Sequence, residues 1–168
     1  MGTYFNPNNE SFTKDRNYRI YVDKTGLLEF LNGVIGTSRN CIAVSHARRF
    51  GKSHAAGMID AYYSLGSSSA ALFDDTKIAE SPGYKKYMNK YNVIHLDISS
   101  VWDFHKEDLI ESIHERVCED FEKVYADGLN YKKDVYLLLK DIYDITGIPF
   151  VVIIDEWDCV IRNSNDNG

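Results

Sequence analysis

The sequence predicts an α/β protein, a three-layer α/β/α sandwich around a mostly parallel sheet, and three observations predict it. A short apolar run, Cys41-Ile42-Ala43-Val44, leads through Arg48-Arg49-Phe50-Gly51-Lys52-Ser53 into a helix-compatible stretch from His54 to Ser64. A second apolar run, Phe150 to Ile154, ends in Asp155-Glu156. Between the two lie segments with a 3.6-residue apolar period, and strands separated by such helices form parallel sheets with right-handed crossovers. The 168 residues suit one domain, since a chain of this length buries roughly two thirds of the surface it exposes when unfolded.

Each element has its own signal. From Lys24 to Gly36 the residues Leu27, Leu28, Phe30, Leu31, Val34 and Ile35 recur at helical spacing, and Gly33 and Gly36 suit the helix end. Cys41 to Ser45 is apolar without alternation, the pattern of a strand covered on both faces. The helix after the loop turns Met58, Ile59, Tyr62 and Tyr63 inward. Leu65-Gly66-Ser67-Ser68-Ser69 breaks it, and Ala70 to Tyr91 reads as irregular or short-helical, with a turn at Ser81-Pro82-Gly83. Asn92 to Ile98 reads as a strand. From Phe104 to Asp127, Leu109, Ile110, Ile113, Val117, Phe121 and Val124 line one helical face. Val135, Leu138, Leu139, Ile142 and Ile145 do the same from Asp134 to Thr146, closed by Gly147 and Pro149 before a second buried strand. Asn163 to Gly168 is a polar end.

Composition narrows the function. The chain is 44% hydrophobic and 26% charged, ordinary for a globular protein, with no apolar run near the ~20 residues of a membrane span. Met1 to Glu10 lacks the basic and apolar regions of a secretory signal, so the expected compartment is the cytoplasm. Cys41, Cys118 and Cys159 have no metal-ligand spacing and read as small core residues in a reducing compartment. A net charge of −6 and a pI near 5.3 argue against a broad nucleic-acid footprint. Lys85, Lys86 and Lys90 among Tyr84, Tyr87 and Tyr91 read as a solvated face with its aromatics turned inward.

The basic cluster Arg48, Arg49 and Lys52 is explained by a phosphate loop. Such a loop carries a first glycine five residues before its Gly-Lys pair; here that position is His46, so the match is to the second half only. Lys52 would reach the β- and γ-phosphates of ATP and the N–H groups of Gly51, Lys52 and Ser53 would cradle the β-phosphate, with Arg49, Phe50 and His54 the other expected binding residues. Ser53 and Asp155 would hold Mg2+, and Glu156 would orient or deprotonate the attacking water. Arg48 and Arg49 are secondary phosphate candidates. Asp97 ends a strand where ligands gather in such sheets, although a helix cap explains it more simply. Trp157 reads as a packing residue. ATP binding without hydrolysis and small-molecule kinase activity are the alternatives, but no arginine-rich lid lies between Ser53 and Asp155.

Three segments, Tyr21-Val22-Asp23-Lys24-Thr25, Arg48 to Ser53, and Ile153-Ile154-Asp155-Glu156-Trp157-Asp158, resemble the N-terminal region of the AAA-ATPase-like family of bacterial and archaeal proteins. The resemblance implies a P-loop ATPase core with a Walker A lysine at Lys52 and a Walker B pair at Asp155 and Glu156. Family members are usually longer, many with a nuclease-like domain, so the resemblance implies that the later strands, a polar sensor and an arginine finger are absent here. A sheet left incomplete at its C-terminal side would present a bare edge open to self-association or a partner chain.

Overall fold

The computed structural model describes residues 2–45, 50–105, 107–125 and 134–164. The fold is mixed helix and strand with a parallel sheet, two-stranded among the described residues. The chain divides into two compact units, Asn8–Tyr91 and a second formed by Met1–Pro7 with Asn92–Gly168.

The Asn8–Tyr91 unit is helical. It contains α1 (Glu10–Arg16), α2 (Gly26–Val34), α3 (Lys52–Tyr63), α4 (Ala70–Phe73), a 3-10 turn (Lys77–Glu80) and α5 (Tyr84–Tyr87). Its core is aromatic. Phe12 stacks on Phe73 at 4.8 Å between ring centres, and Tyr62 meets Tyr63 edge to face at 4.9 Å. Burying tyrosines requires partners for their hydroxyls. Buried Asn32 meets both: its Nδ2 donates to the Tyr62 hydroxyl at 3.1 Å, and its Oδ1 accepts from the Tyr63 hydroxyl at 2.7 Å. The Tyr62 hydroxyl in turn donates to the Tyr84 carbonyl at 2.7 Å. α1 packs on α3 where Gly57 stands, since a Cβ there would lie 2.9 Å from the Ser11 hydroxyl oxygen. Tyr84 and Tyr91 are buried while Lys85, Lys86 and Lys90 are exposed, as the sequence predicts.

One expected strand is not formed. Cys41 to Ser45 lies outside any helix or strand and is exposed, which also removes Cys41 from the core. Apolar character qualifies a segment for a strand, but only a neighbouring backbone makes one.

In the other unit, β1 (Asn92–Asp97) and β2 (Phe150–Asp155) pair in parallel, from Asn92 opposite Phe150 to Asp97 opposite Asp155. The intervening elements are α6 (Ile98–Trp102), α7 (Leu109–Val124) and α8 (Val135–Thr146), and α9 (Cys159–Ser164) follows β2. The expected strand to Ile98 stops one residue earlier because Asp97 caps α6, its side chain accepting from the Ser99 and Ser100 N–H groups. Asp134 caps α8 through the Leu137 N–H, and Gly147 ends it at φ 67°, in the left-handed region. Val117, Phe121, Leu138 and Ile142 pack with Phe5 and Ile94 into the core. Ile110, Val124 and Ile145, placed on the inner faces by their spacing, are exposed.

Two further features differ from expectation. β2 is not buried on both faces: Val152 is 49% and Ile154 53% exposed. In addition, residues near the N-terminus close one edge of β1. Phe5 bridges to Ile94, the Asn6 N–H donates to the Val93 carbonyl at 2.7 Å, and the His95 N–H donates to the Tyr4 carbonyl at 2.9 Å. Buried Asp120 on α7 secures this segment, accepting from the Tyr4 and Phe5 N–H groups at 2.6 and 3.2 Å and from Lys123 at 2.8 Å. Burial pushes the Asp120 carboxyl up, but the Lys123 ammonium and the two backbone N–H groups outweigh it and hold the pKa below its ordinary value.

Candidate functional site

The expected binding residues fall in the helical unit and the expected acids in the sheet unit. In the helical unit Gly51 is the N-cap of α3, with φ 79° and ψ 36°. That left-handed conformation suits glycine because there is no Cβ to strain. The Gly51 carbonyl accepts from the Ala55 N–H at 3.0 Å, which starts the helix. A glycine cap has no side-chain oxygen, so the first-turn N–H groups of α3 are not consumed by it. Lys52 opens the helix, with Ser53 exposed beside it. The His54 ring contacts Asp15 at 2.6 Å, so its side chain is engaged with α1. Arg49, with Arg48 and His46, lies outside the described residues.

A contact that sequence reasoning missed lies beside the loop. The Lys24 ammonium donates to the Phe50 carbonyl at 2.7 Å. A Cβ on Gly51 would stand 2.6 Å from that same nitrogen. The segment around Lys24 is itself secured. Asp23 accepts from the Thr25 N–H and hydroxyl at 2.8 and 2.7 Å and from the Lys77 N–H at 2.9 Å, while the buried Thr25 hydroxyl accepts from the Ile78 N–H at 3.1 Å. Burial raises the Asp23 pKa, yet the N–H groups of Lys77 and Thr25 bring it below the ordinary value.

In the sheet unit, Asp97 and Asp155 stand side by side at the C-terminal ends of β1 and β2, the end of a parallel sheet where ligands bind. Asp97 spends its Oδ1 on the Ser99 N–H and hydroxyl at 3.0 and 2.7 Å, which makes it a helix cap. Asp155 Oδ1 accepts from the Glu156 N–H at 2.9 Å. The chain then turns sharply, with Glu156 at φ 50°, an unusual conformation for a residue with a side chain. Glu156 Oε2 accepts from Arg162 of α9 at 2.7 Å, and Arg162 also pairs with Asp158 at 2.9 Å. The Asp158 to Arg162 spacing was a readable signal for that pair. Trp157 is 61% exposed, so it does not pack as expected. Cys159 is buried here, and burial, followed by the negative fields of Asp158, Asp97, Glu156 and Asp103, pushes its thiol up. The strand end is therefore electronegative, an environment that favours a cation and disfavours a thiolate.

Among the described residues, no three His, Cys, Asp or Glu side chains gather around one point as a metal cage. The expected Ser53 hydroxyl and Asp155 carboxylate are the hard oxygen donors that Mg2+ takes from proteins, one or two at a time beside phosphate oxygens. Their chemistry fits that ion. No described helix is long and apolar enough to cross a membrane.

A family model described as a predicted AAA-ATPase matches residues 9–168. Comparison with curated proteins and with solved structures finds no match to the chain.

Proposed function

The chain belongs to the AAA-ATPase-like family, and on that premise we propose that it binds ATP with Mg2+ and hydrolyses it on a P-loop core. The observation that carries the reading is Gly51, in the left-handed region at the cap of a twelve-residue helix, with no side chain of its own to cover the helix start. Phosphate binds such a helix start because the N–H groups and the helix dipole both point at the anion. Lys52 adds a full positive charge for the β- and γ-phosphates, and the N–H groups of Gly51, Lys52 and Ser53 form the cradle. Ser53 and Asp155 hold Mg2+, which when bound neutralises phosphate charge. Glu156 orients the attacking water and accepts its proton.

Calorimetric titration of MgATP into the protein and into Lys52→Ala tests this. Micromolar binding that disappears in the variant is the expected result. A folded wild type that binds no ATP overturns the reading.

One observation favours a second reading, nucleotide binding without turnover: one Glu156 oxygen is already engaged by Arg162. Phosphate release by the wild type that Glu156→Gln abolishes excludes that reading, whereas binding with no release establishes it. The edge of β2 away from β1, unpaired among the described residues, and the exposed Val152 and Ile154 on its face support pairing with a second copy or a partner chain. Sedimentation of the wild type and of Val152→Lys tests that pairing.

A further inference from the structure

The Tyr21-Val22-Asp23-Lys24-Thr25 segment has no part in the chemistry above, yet it places a lysine on the phosphate loop. We propose that Lys24 is a positioning residue for nucleotide phosphate, fixing the Phe50–Gly51 peptide so that the Gly51 N–H faces the anion. This rests on the proposed ATP site and deepens it.

The geometry follows from the planarity of the peptide. In a trans amide the carbonyl and the N–H point in opposite directions. The Phe50 carbonyl points at the Lys24 ammonium, 2.7 Å away, so the N–H of Gly51 points away from Lys24. No cis peptide occurs among the described residues. Glycine is the residue whose flanking peptides reorient most readily, because φ on both sides of zero is open to it. A loop that must present the Gly51 N–H therefore needs something to hold that plane. Lys24 supplies it with a charge-assisted hydrogen bond, stronger than a neutral one.

Lys24 can hold the plane because its own backbone is held. Asp23 on one side and Thr25 on the other are bonded to the Lys77 and Ile78 N–H groups at the start of the 3-10 turn. Lys24 is thus a strut between that turn and the phosphate loop. The same placement explains Gly51 twice over, since a side chain there would meet both an unfavourable φ and the Lys24 ammonium.

The positioning role and direct phosphate contact predict different results. The experiment compares MgATP and adenosine binding by wild type, Lys24→Met, Lys24→Arg and Lys52→Ala, with 15N-labelled protein to follow the Gly51 amide. Positioning predicts that Lys24→Met weakens ATP about five- to tenfold, the value of one good hydrogen bond, lowers the melting temperature only slightly and leaves adenosine binding unchanged. Lys24→Arg restores affinity, because it keeps a charged donor. The salt dependence of ATP binding is the same in wild type and Lys24→Met, since no phosphate charge contact is lost. The Gly51 amide shifts on ATP addition in wild type and less in Lys24→Met. Undiminished ATP affinity in Lys24→Met, an equal loss for adenosine, failure of Lys24→Arg to rescue, or a changed salt dependence overturns the proposal. If Lys52→Ala loses ATP while Lys24→Met keeps it, the ATP site stands and only this inference falls. A wild type that binds no ATP overturns both.

Discussion

The two units present their functional groups in opposite ways. In the helical unit the groups of interest are backbone N–H groups, and the structure around them controls peptide orientation through Gly51, Lys24 and the Asp23 and Thr25 anchors. In the sheet unit they are carboxylates, and the structure controls side-chain placement through strand register and the Arg162 pair. In the proposed site an anion would be met by main-chain dipoles together with the Lys52 charge, and a cation by charges carried on side chains. The first arrangement is sensitive to changes in glycine and loop geometry. The second is sensitive to removal of a single atom group.

The largest effect expected from breaking this contrast is at Glu156. Glu156→Gln keeps the size of the side chain but removes its ability to take a proton, and phosphate release should fall about a hundredfold or more with ATP affinity preserved. Steady-state phosphate release alongside calorimetry separates the two quantities. Next comes Asp120, which serves only the architecture of the sheet unit. Asp120→Ala should cost about 2–3 kcal/mol in urea unfolding, because it strands two backbone N–H groups and a lysine. The depressed Asp120 pKa fixes the sign of the acid dependence: its contribution is complete above the ordinary value of 3.8 and is lost as pH falls through the lower folded value. Wild-type stability should fall over that acidic range, and Asp120→Ala should show a flatter profile there.

Gly51→Ala sharpens the other side of the contrast. It should lower stability by about 1 kcal/mol through the positive φ, and weaken ATP by about tenfold through the loop, read by melting and by calorimetry. The smallest effect is Arg162→Ala, a partly exposed pair whose loss should cost about 0.5 kcal/mol or less. Its informative readout is turnover. If the Arg162 bond restrains Glu156, phosphate release rises in Arg162→Ala; if the bond orients Glu156 productively, release falls.

Helices were legible wherever a 3.6-residue apolar period coincided with a cap, as at Asp134 and Gly147 for α8. The period alone overreached at Ile110 and Ile145, which continue the pattern beyond the part of each helix that packs. Strand pairing was less legible. Cys41 to Val44 and Phe150 to Ile154 look alike as strings, yet only the second has a paired neighbour among the described residues. The proposed site residues Gly51-Lys52-Ser53 and Asp155-Glu156 could be named from the sequence because those residue types carry their chemistry locally. The Lys24 contact was not readable, since it joins residues 24 and 50 through a fold that no local pattern encodes. Nor was Asp120 as the anchor of residues 4 and 5, more than a hundred positions away.

That anchor bears on where the working unit is cut. The family match starts at residue 9, whereas the backbone that covers one side of β1 comes from residues 4–6. A protein trimmed to the matched boundary would keep every motif and lose this cover, leaving Asp120 with unfilled acceptors and the strand open to foreign backbone. Aggregation of such a trimmed protein would reflect the choice of boundary and would say nothing about the proposed nucleotide site.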